Sequence, residues 1–169
     1  MKRPVSSLVL LLLLALPAAW AGKADRSQPI EVEADSKSTD YKAGIGVYTG
    51  KVIIVQGSLR ATADKATLYL KEGQLDRAVL EGKPVTYREM DDKGQWLEAE
   101  ARQVDYFAAR GELILTGQAR VSRAGDVMTS ERIEYDQKAE VLKAGRGDGQ
   151  DRVHITLQPR TPGADGKTP

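Results

Sequence analysis

The chain has 169 residues, with 25 Lys and Arg against 24 Asp and Glu, one histidine and no cysteine. Without cysteine there is no disulfide framework, thiolate metal site or thiol nucleophile. A formal net charge of +1 lacks the basic surplus that phosphate neutralisation requires, so nucleic acid is not an expected partner.

Residues 1–21 read as a cleavable signal peptide. Lys2 and Arg3 form a positive n-region, Leu8 to Leu16 an apolar h-region, and Ala19-Trp20-Ala21 a small-residue cleavage site. The nine apolar residues fall short of the roughly 20 that a membrane-spanning helix needs. An uncleaved anchor is the alternative, raised by Trp20 beside the cleavage site. Cleavage leaves about 148 residues from Gly22, with 23 basic and 24 acidic side chains. That length suits one secreted, soluble domain, residues 22–158, with its own core.

From Ile30 onward the pattern has period 2, not helical spacing. Ile30, Val32 and Ala34 alternate with Glu31, Glu33 and Asp35; Leu59, Ala61 and Ala63 alternate with Arg60, Thr62 and Asp64; Leu113, Leu115, Ala119 and Val121 fall on one face. Val52-Ile53-Ile54-Val55 is apolar on both faces, which implies either a covering loop or an intermolecular contact for Ile53 and Val55. Turn chemistry punctuates the runs at Lys42-Ala43-Gly44, Lys71-Glu72-Gly73, Asp91-Asp92-Lys93-Gly94 and Asp148-Gly149-Gln150. The expectation is about sixteen short strands between Ile30 and Leu157, an all-β domain without βαβ units. Residues 159–169 hold three prolines and no large apolar side chain, the composition of a disordered tail.

A device recurs along these strands. Small-residue and charge corners stand at Ala34-Asp35-Ser36, Ala63-Asp64-Lys65, Ala101-Arg102-Gln103 and Ser130-Glu131-Arg132, spaced 29, 38 and 29 residues apart, with glycines closing each unit at Gly50, Gly82, Gly117 and Gly145. This is the self-similarity of a β architecture that stacks one supersecondary unit, a scaffold suited to binding along its length. Many inward positions are alanines (Ala34, Ala61, Ala63, Ala66, Ala78, Ala119). Small inward side chains fit two readings equally: a lined but unfilled interior that holds a ligand, or two sheets lying close together.

Signals for enzyme chemistry are poor. His154 has no second histidine or cysteine to complete a metal site, the carboxylates sit in turns and on outward strand faces, and no Gly-x-Ser-x-Gly occurs. Gly145-Arg146-Gly147-Asp148-Gly149 looks like a phosphate loop but lacks a following helix, and reads as a hairpin. Trp96 reads as packing cover or as a sugar-stacking platform. No enzyme activity, cofactor or metal is expected.

Gln28 to Asp35, Tyr48 to Gly57, Ala63-Asp64-Lys65, Gly82 to Tyr87 and Leu115 to Ala119 together resemble, in order and spacing, the LptA/OstA-like family of periplasmic lipopolysaccharide export proteins. The resemblance spans essentially Gln28 to Leu157, and the length with a cleavable signal is similar to the soluble bridge member rather than its membrane-anchored relative. It implies a twisted, partly open β-jelly roll in the periplasm, whose apolar groove shields the acyl chains of lipopolysaccharide (lipid A) between inner and outer membrane. By resemblance Ile30, Val32, Tyr48, Val52, Ile54, Leu59, Tyr87, Leu115 and Val121 line that groove. Implied partners are the inner- and outer-membrane jelly-roll components of the Lpt complex and further copies of the chain, head to tail. The docking edges would then be the first and last strands, at Ile30 and Val32 and at Val153, Ile155 and Leu157, which an unclosed sheet leaves without ladder partners. The short Lys71 to Leu75 segment departs most from the family. The alternatives are a β-solenoid assembly protein without lipid cargo and a glycan-active jelly-roll enzyme.

Overall fold

The computed structural model describes residues 27–145 and 151–159. The expected signal peptide, the tail beyond Pro159 and residues 146–150, including the Arg146-Gly147-Asp148 tripeptide, lie outside the described residues. Ten strands follow in chain order: β1 (Glu31–Glu33), β2 (Ser36–Asp40), β3 (Ile45–Gln56), β4 (Leu59–Lys71), β5 (Gln74–Met90), β6 (Trp96–Phe107), β7 (Glu112–Arg123), β8 (Asp126–Asp136), β9 (Val141–Ala144) and β10 (His154–Thr156). The long strands β3 to β8 pair in sequence, all antiparallel. Both β1 and β2 pair with β3, and both β9 and β10 with β8. The sheet therefore does not close on itself.

Ten strands replace the expected sixteen, because three of the four corners do not end strands; only Ala34-Asp35-Ser36 does, parting β1 from β2. The long strands run straight through the other corners, where the linear pattern reads two strands for one. At the corners the ladder slips between Thr49 and Val52, Thr62 and Lys65, Glu81 and Val85, Glu100 and Gln103, and Thr116 and Ala119. Gly50-Lys51 stands opposite Asp64 alone, and Gly117-Gln118 opposite Glu131 alone. Both glycines have φ +82°, the left-handed position of a glycine bulge. A Cβ at Gly117 would lie 3.0 Å from the Arg102 side chain, and one at Gly50 2.5 Å from Asp35 Oδ2. Other corners use Ala63, Ala101 and Ser130, all buried.

The bulges form one row across the sheet and divide it into two arms. The first arm holds β1, β10 and the halves of β3 to β8 that pair with them; the second holds β2, β9 and the remaining halves. Their apolar faces meet in one core, with Val52, Ile54, Ala61, Val85 and Val121 from the first arm against Ala66, Leu80, Val104, Leu115 and Ile133 from the second. Val52 and Ile54 are buried as alternation requires, while Ile53 and Val55 are half-buried on the opposite face, beside Glu33 and Glu31 of β1. Turns at the arm ends follow local chemistry: Glu72-Gly73 joins β4 to β5 with φ +52° and +78°, as a two-residue type I′ turn requires. Asp40 and Asp136 each accept two backbone N–H bonds at 2.9 Å in their four-residue turns.

Gly117→Ala and Gly73→Ala separate backbone strain from crowding. Each is expected to cost about 1–2 kcal/mol through its left-handed φ. Gly117→Ala should cost more, because Arg102 crowds its Cβ whereas nothing lies within 4 Å at Gly73. Urea unfolding of both variants checks the order.

Candidate functional site

Among the described residues, buried apolar side chains of both arms form one packed cluster, which favours closely apposed sheets there. Space remains where the first half of the chain brings the arms together. A crevice of about 50 Å³ is lined by Ile30, Ile54, Leu59, Ala61 and Tyr87 of the first arm and by Leu68, Leu75, Ala78, Leu80, Val104, Tyr106 and Leu113 of the second. That is roughly two water volumes at ~30 Å³ each. Beside it, sharing Ile30, Leu68 and Leu75, an open trough of about 790 Å³ runs along the β1/β2 edge. Its size falls within the ~300–1,000 Å³ usual for ligand sites. Val32, Tyr48 and Leu70 line the trough, together with Lys37, Lys42 and Lys71. The ammonium of Lys37 lies 5.5 Å from the centre of the Tyr48 ring.

The nine groove residues proposed from the sequence divide into three sets. Ile30, Ile54, Leu59 and Tyr87 line the crevice. Val32 and Tyr48, with Ile30 again, line the trough. Val52, Leu115 and Val121 are fully buried in the packed core and line neither space. Sequence reasoning missed the larger lining residues Leu68, Leu75, Leu80, Val104, Tyr106 and Leu113. The signal was available for Leu75, which pairs with Leu70 across the two-residue turn and so brings an apolar residue out of a segment read only as a shortened loop.

Polar groups also tie the arms, one of them through the hydroxyl of the crevice residue Tyr87. Gln137 Nε2, from the β8–β9 turn, donates to Tyr87 Oη at 3.0 Å and to Glu89 Oε2 at 2.7 Å, and Tyr87 Oη itself donates to Glu89. Lys93 Nζ pairs with Glu140 at 2.8 Å, and Arg123 reaches Glu140 at 3.5 Å while bonding Asp91. Burial of Asp91 opposes ionisation, but the N–H groups of Gln95 and Lys93 and the Arg123 guanidinium outweigh it and hold the carboxyl below its usual range. Burial pushes the Tyr135 phenol up, in part against the nearby Arg123.

Both sheet edges are composite. β1 and β2 flank β3, β9 and β10 flank β8, and each of the four has a ladder partner on one side only among the described residues. Ile30 is 40% exposed, Ile155 56% and Leu157 70%, with Val153 and Val141 also exposed. Trp96, 41% exposed, is covered by the Arg88 guanidinium 5.2 Å above its ring. His154 is exposed in β10, and the described residues contain no group of three His, Cys, Asp or Glu placed for a metal ion. No helix among the described residues is long and apolar enough to cross a membrane.

An unclosed antiparallel sheet, folded along one row of bulges over an apolar interior, is a shape that can be compared. The family model described as LptA/(LptD N-terminal domain) LPS transport protein matches residues 31–141. The chain belongs to that family. It is 33% identical over 155 residues to the lipopolysaccharide export system protein LptH of Pseudomonas aeruginosa, covering 87% of this chain and 85% of that protein. It is also 33% identical over 150 residues to LptA of Escherichia coli K12, covering 88% and 80% respectively. The crystal structure of Pseudomonas aeruginosa LptH, described as the LptA homologous periplasmic component of the conserved lipopolysaccharide transport device, superposes with a TM-score of 0.74 at 32% identity over 80% of this chain and 99% of that one. These relatives are named as export and transport proteins, in keeping with the poor enzyme signals of the sequence.

The Asp91 pairing sets an expected pH dependence. A carboxyl held below its unfolded-chain value of about 3.9 stabilises the fold fully above that value and loses the contribution as pH falls through the lower folded value. Asp91→Asn is therefore expected to lower stability by about 1–3 kcal/mol at pH 7 and to unfold with a flatter acid limb. Chemical denaturation at pH 7 and pH 3 tests both.

Proposed function

We propose that the chain is a periplasmic lipopolysaccharide carrier, a bridge segment that shields acyl chains in the apolar space between its arms on their way from inner to outer membrane. The observation that carries this is the adjacency of the trough and the crevice, which share Ile30, Leu68 and Leu75 beside an unclosed sheet edge, in a chain of the LptA family. In this reading the two-armed sheet is a twisted, partly open jelly roll, and the site is passive. Each CH₂ removed from water contributes roughly 0.8 kcal/mol, so a fully enclosed multi-acyl lipid would bind too tightly to be handed on. An edge trough that covers chains partly avoids that, and directional movement must come from an energy source elsewhere in the transport system.

The edges support the second half of the proposal. Ladder groups left free on β1/β2 and on β9/β10 can pair with another chain. A first edge meeting a last edge is a heterologous contact, which propagates into a filament instead of closing a dimer. Head-to-tail copies, and jelly-roll components anchored in the two membranes, are then the partners. The packed interior favours one competing reading, an assembly protein that pairs edges and carries nothing; mass analysis of lipid extracted from protein purified from a lipopolysaccharide-producing host separates the two.

Ile54→Asp and Leu59→Asp each put a carboxylate on the crevice wall and are expected to weaken lipopolysaccharide binding at least tenfold. Circular dichroism must accompany the binding assay, because an unpaired buried carboxylate is costly in any core. A folded variant that binds normally removes that residue from the groove.

Ile155→Pro takes an N–H from the last strand and is expected to reduce concentration-dependent association while the fold persists. Light scattering reads the result, and unchanged oligomers, or a wild type that stays strictly monomeric at high concentration, refute edge pairing.

A further inference from the structure

Folding the sheet at its bulge row leaves one question: what holds the arms together at their free ends. On the trough side the arms meet through apolar residues, with Leu59, Leu75 and Tyr106 among those lining the crevice and packed against the core. At the β8–β9 turn they meet through Gln137 on Glu89 and on the crevice residue Tyr87, and through Glu140 on Lys93 and Arg123. All of these bridges join the Gln137–Glu140 turn of the second arm to the β5–β6 region and β7 end of the first. We infer that this turn is a releasable latch and that Gln137 and Glu140 are positioning residues, setting how far the arms part and so how much hydrocarbon the interior admits.

Three observations argue for release instead of permanent closure. The crevice as it stands holds about 50 Å³, too little for an acyl chain, so chains enter only if the arms separate. This step rests on the carrier reading above. The charged contacts are partly open to solvent, with side-chain exposures of 65% for Lys93, 32% for Glu140 and 22% for Arg123, where ion pairs are weak and screened by salt. Finally, Gln137 Oε1 is buried without a hydrogen-bond partner among the described residues. Opening the latch gives that oxygen water, which offsets part of what the broken bonds lose.

A chain with no cysteine allows a direct test. Ala61 is 2% exposed and lines the crevice, while Ala119 is 1% exposed in the core and lines neither crevice nor trough. Ala61→Cys and Ala119→Cys, made separately, are labelled with a maleimide in three backgrounds: wild type, Gln137→Ala and Glu140→Gln. Latch release is expected to speed labelling at position 61 at least fivefold and to leave position 119 unchanged, a difference that general destabilisation does not produce. Wild type in 1 M against 0.02 M NaCl should move position 61 in the same direction, which keeps the test intact if a variant does not fold. Equal rates at position 61 in all backgrounds and salts, or equal acceleration at both positions, overturn the latch.

In parallel, Lys93→Cys with Glu140→Cys is joined by a short bis-maleimide and offered purified lipopolysaccharide. A joined protein that binds at least tenfold more weakly than the unjoined one supports the latch, and equal binding overturns it as the control on lipid entry. If neither form binds while the labelling result holds, the latch stands and the carrier reading falls.

Discussion

Everything distinctive about this molecule depends on a defect repeated in register. A flat ten-stranded antiparallel sheet would bury one face against nothing. The row of bulges bends it so that its apolar face meets itself, and one or two extra residues in β3, β5 and β7 against their neighbours do this without ending any of the long strands. The cost is local: two glycines are held in left-handed backbone, one crowded by Asp35 and the other by Arg102, and small residues stand at the neighbouring corners. The gain is a core drawn from both arms, in a chain that has no disulfide to help.

The same bend explains why the interior is lined by alanine. Ala61, Ala63 and Ala66 on β4, and Ala99, Ala101 and Ala119 near the bulge row, are all buried. Close to the fold line two sheet faces converge, and larger side chains would force the arms apart. Farther from it the side chains lengthen to Leu, Ile and Tyr, and on the trough side they do not fill the space between the arms. A packed seam and an open rim are thus two consequences of one angle.

The asymmetry between the two rims bears on transport. On the proposed carrier reading, the trough side, where Ile30, Val32, Leu68 and Leu75 stand among Lys37, Lys42 and Lys71, is the side from which hydrocarbon gains by entering, and the Gln137–Glu140 turn is the side that hydrogen bonds and ion pairs hold together. Shielding a chain without trapping it needs an interior of adjustable width. In the proposed latch, hinging at the bulges with weak polar contacts at the far ends supplies a physical means for it. Composite edges, each of two short strands on one long neighbour, also leave ladder groups available without a single long, flat edge, the arrangement most prone to uncontrolled aggregation.

Alternation by itself determined the all-β class, the inward set and the hairpin turns, because side-chain period and turn chemistry are local properties of the backbone. Val52 and Ile54 buried with Ile53 and Val55 facing out, and Glu72-Gly73 reversing the chain, were legible for that reason. The residues that carry the family resemblance were also legible. What the linear pattern could not distinguish was a bend within a strand from the end of one: Ala63-Asp64-Lys65 and Ala101-Arg102-Gln103 read as boundaries, and only ladder pairing on both sides reveals continuous strands. Nor could it tell which inward residues face open space. Leu115 and Leu113 share a strand face, yet Leu113 reaches the crevice and Leu115 does not, because that depends on the distance from the fold line to the facing arm. The meeting of Gln137 with Tyr87 and Glu89, some fifty residues away in sequence, was decided by the tertiary structure alone, since nothing local to either segment encodes where the sheet will bend and bring them together.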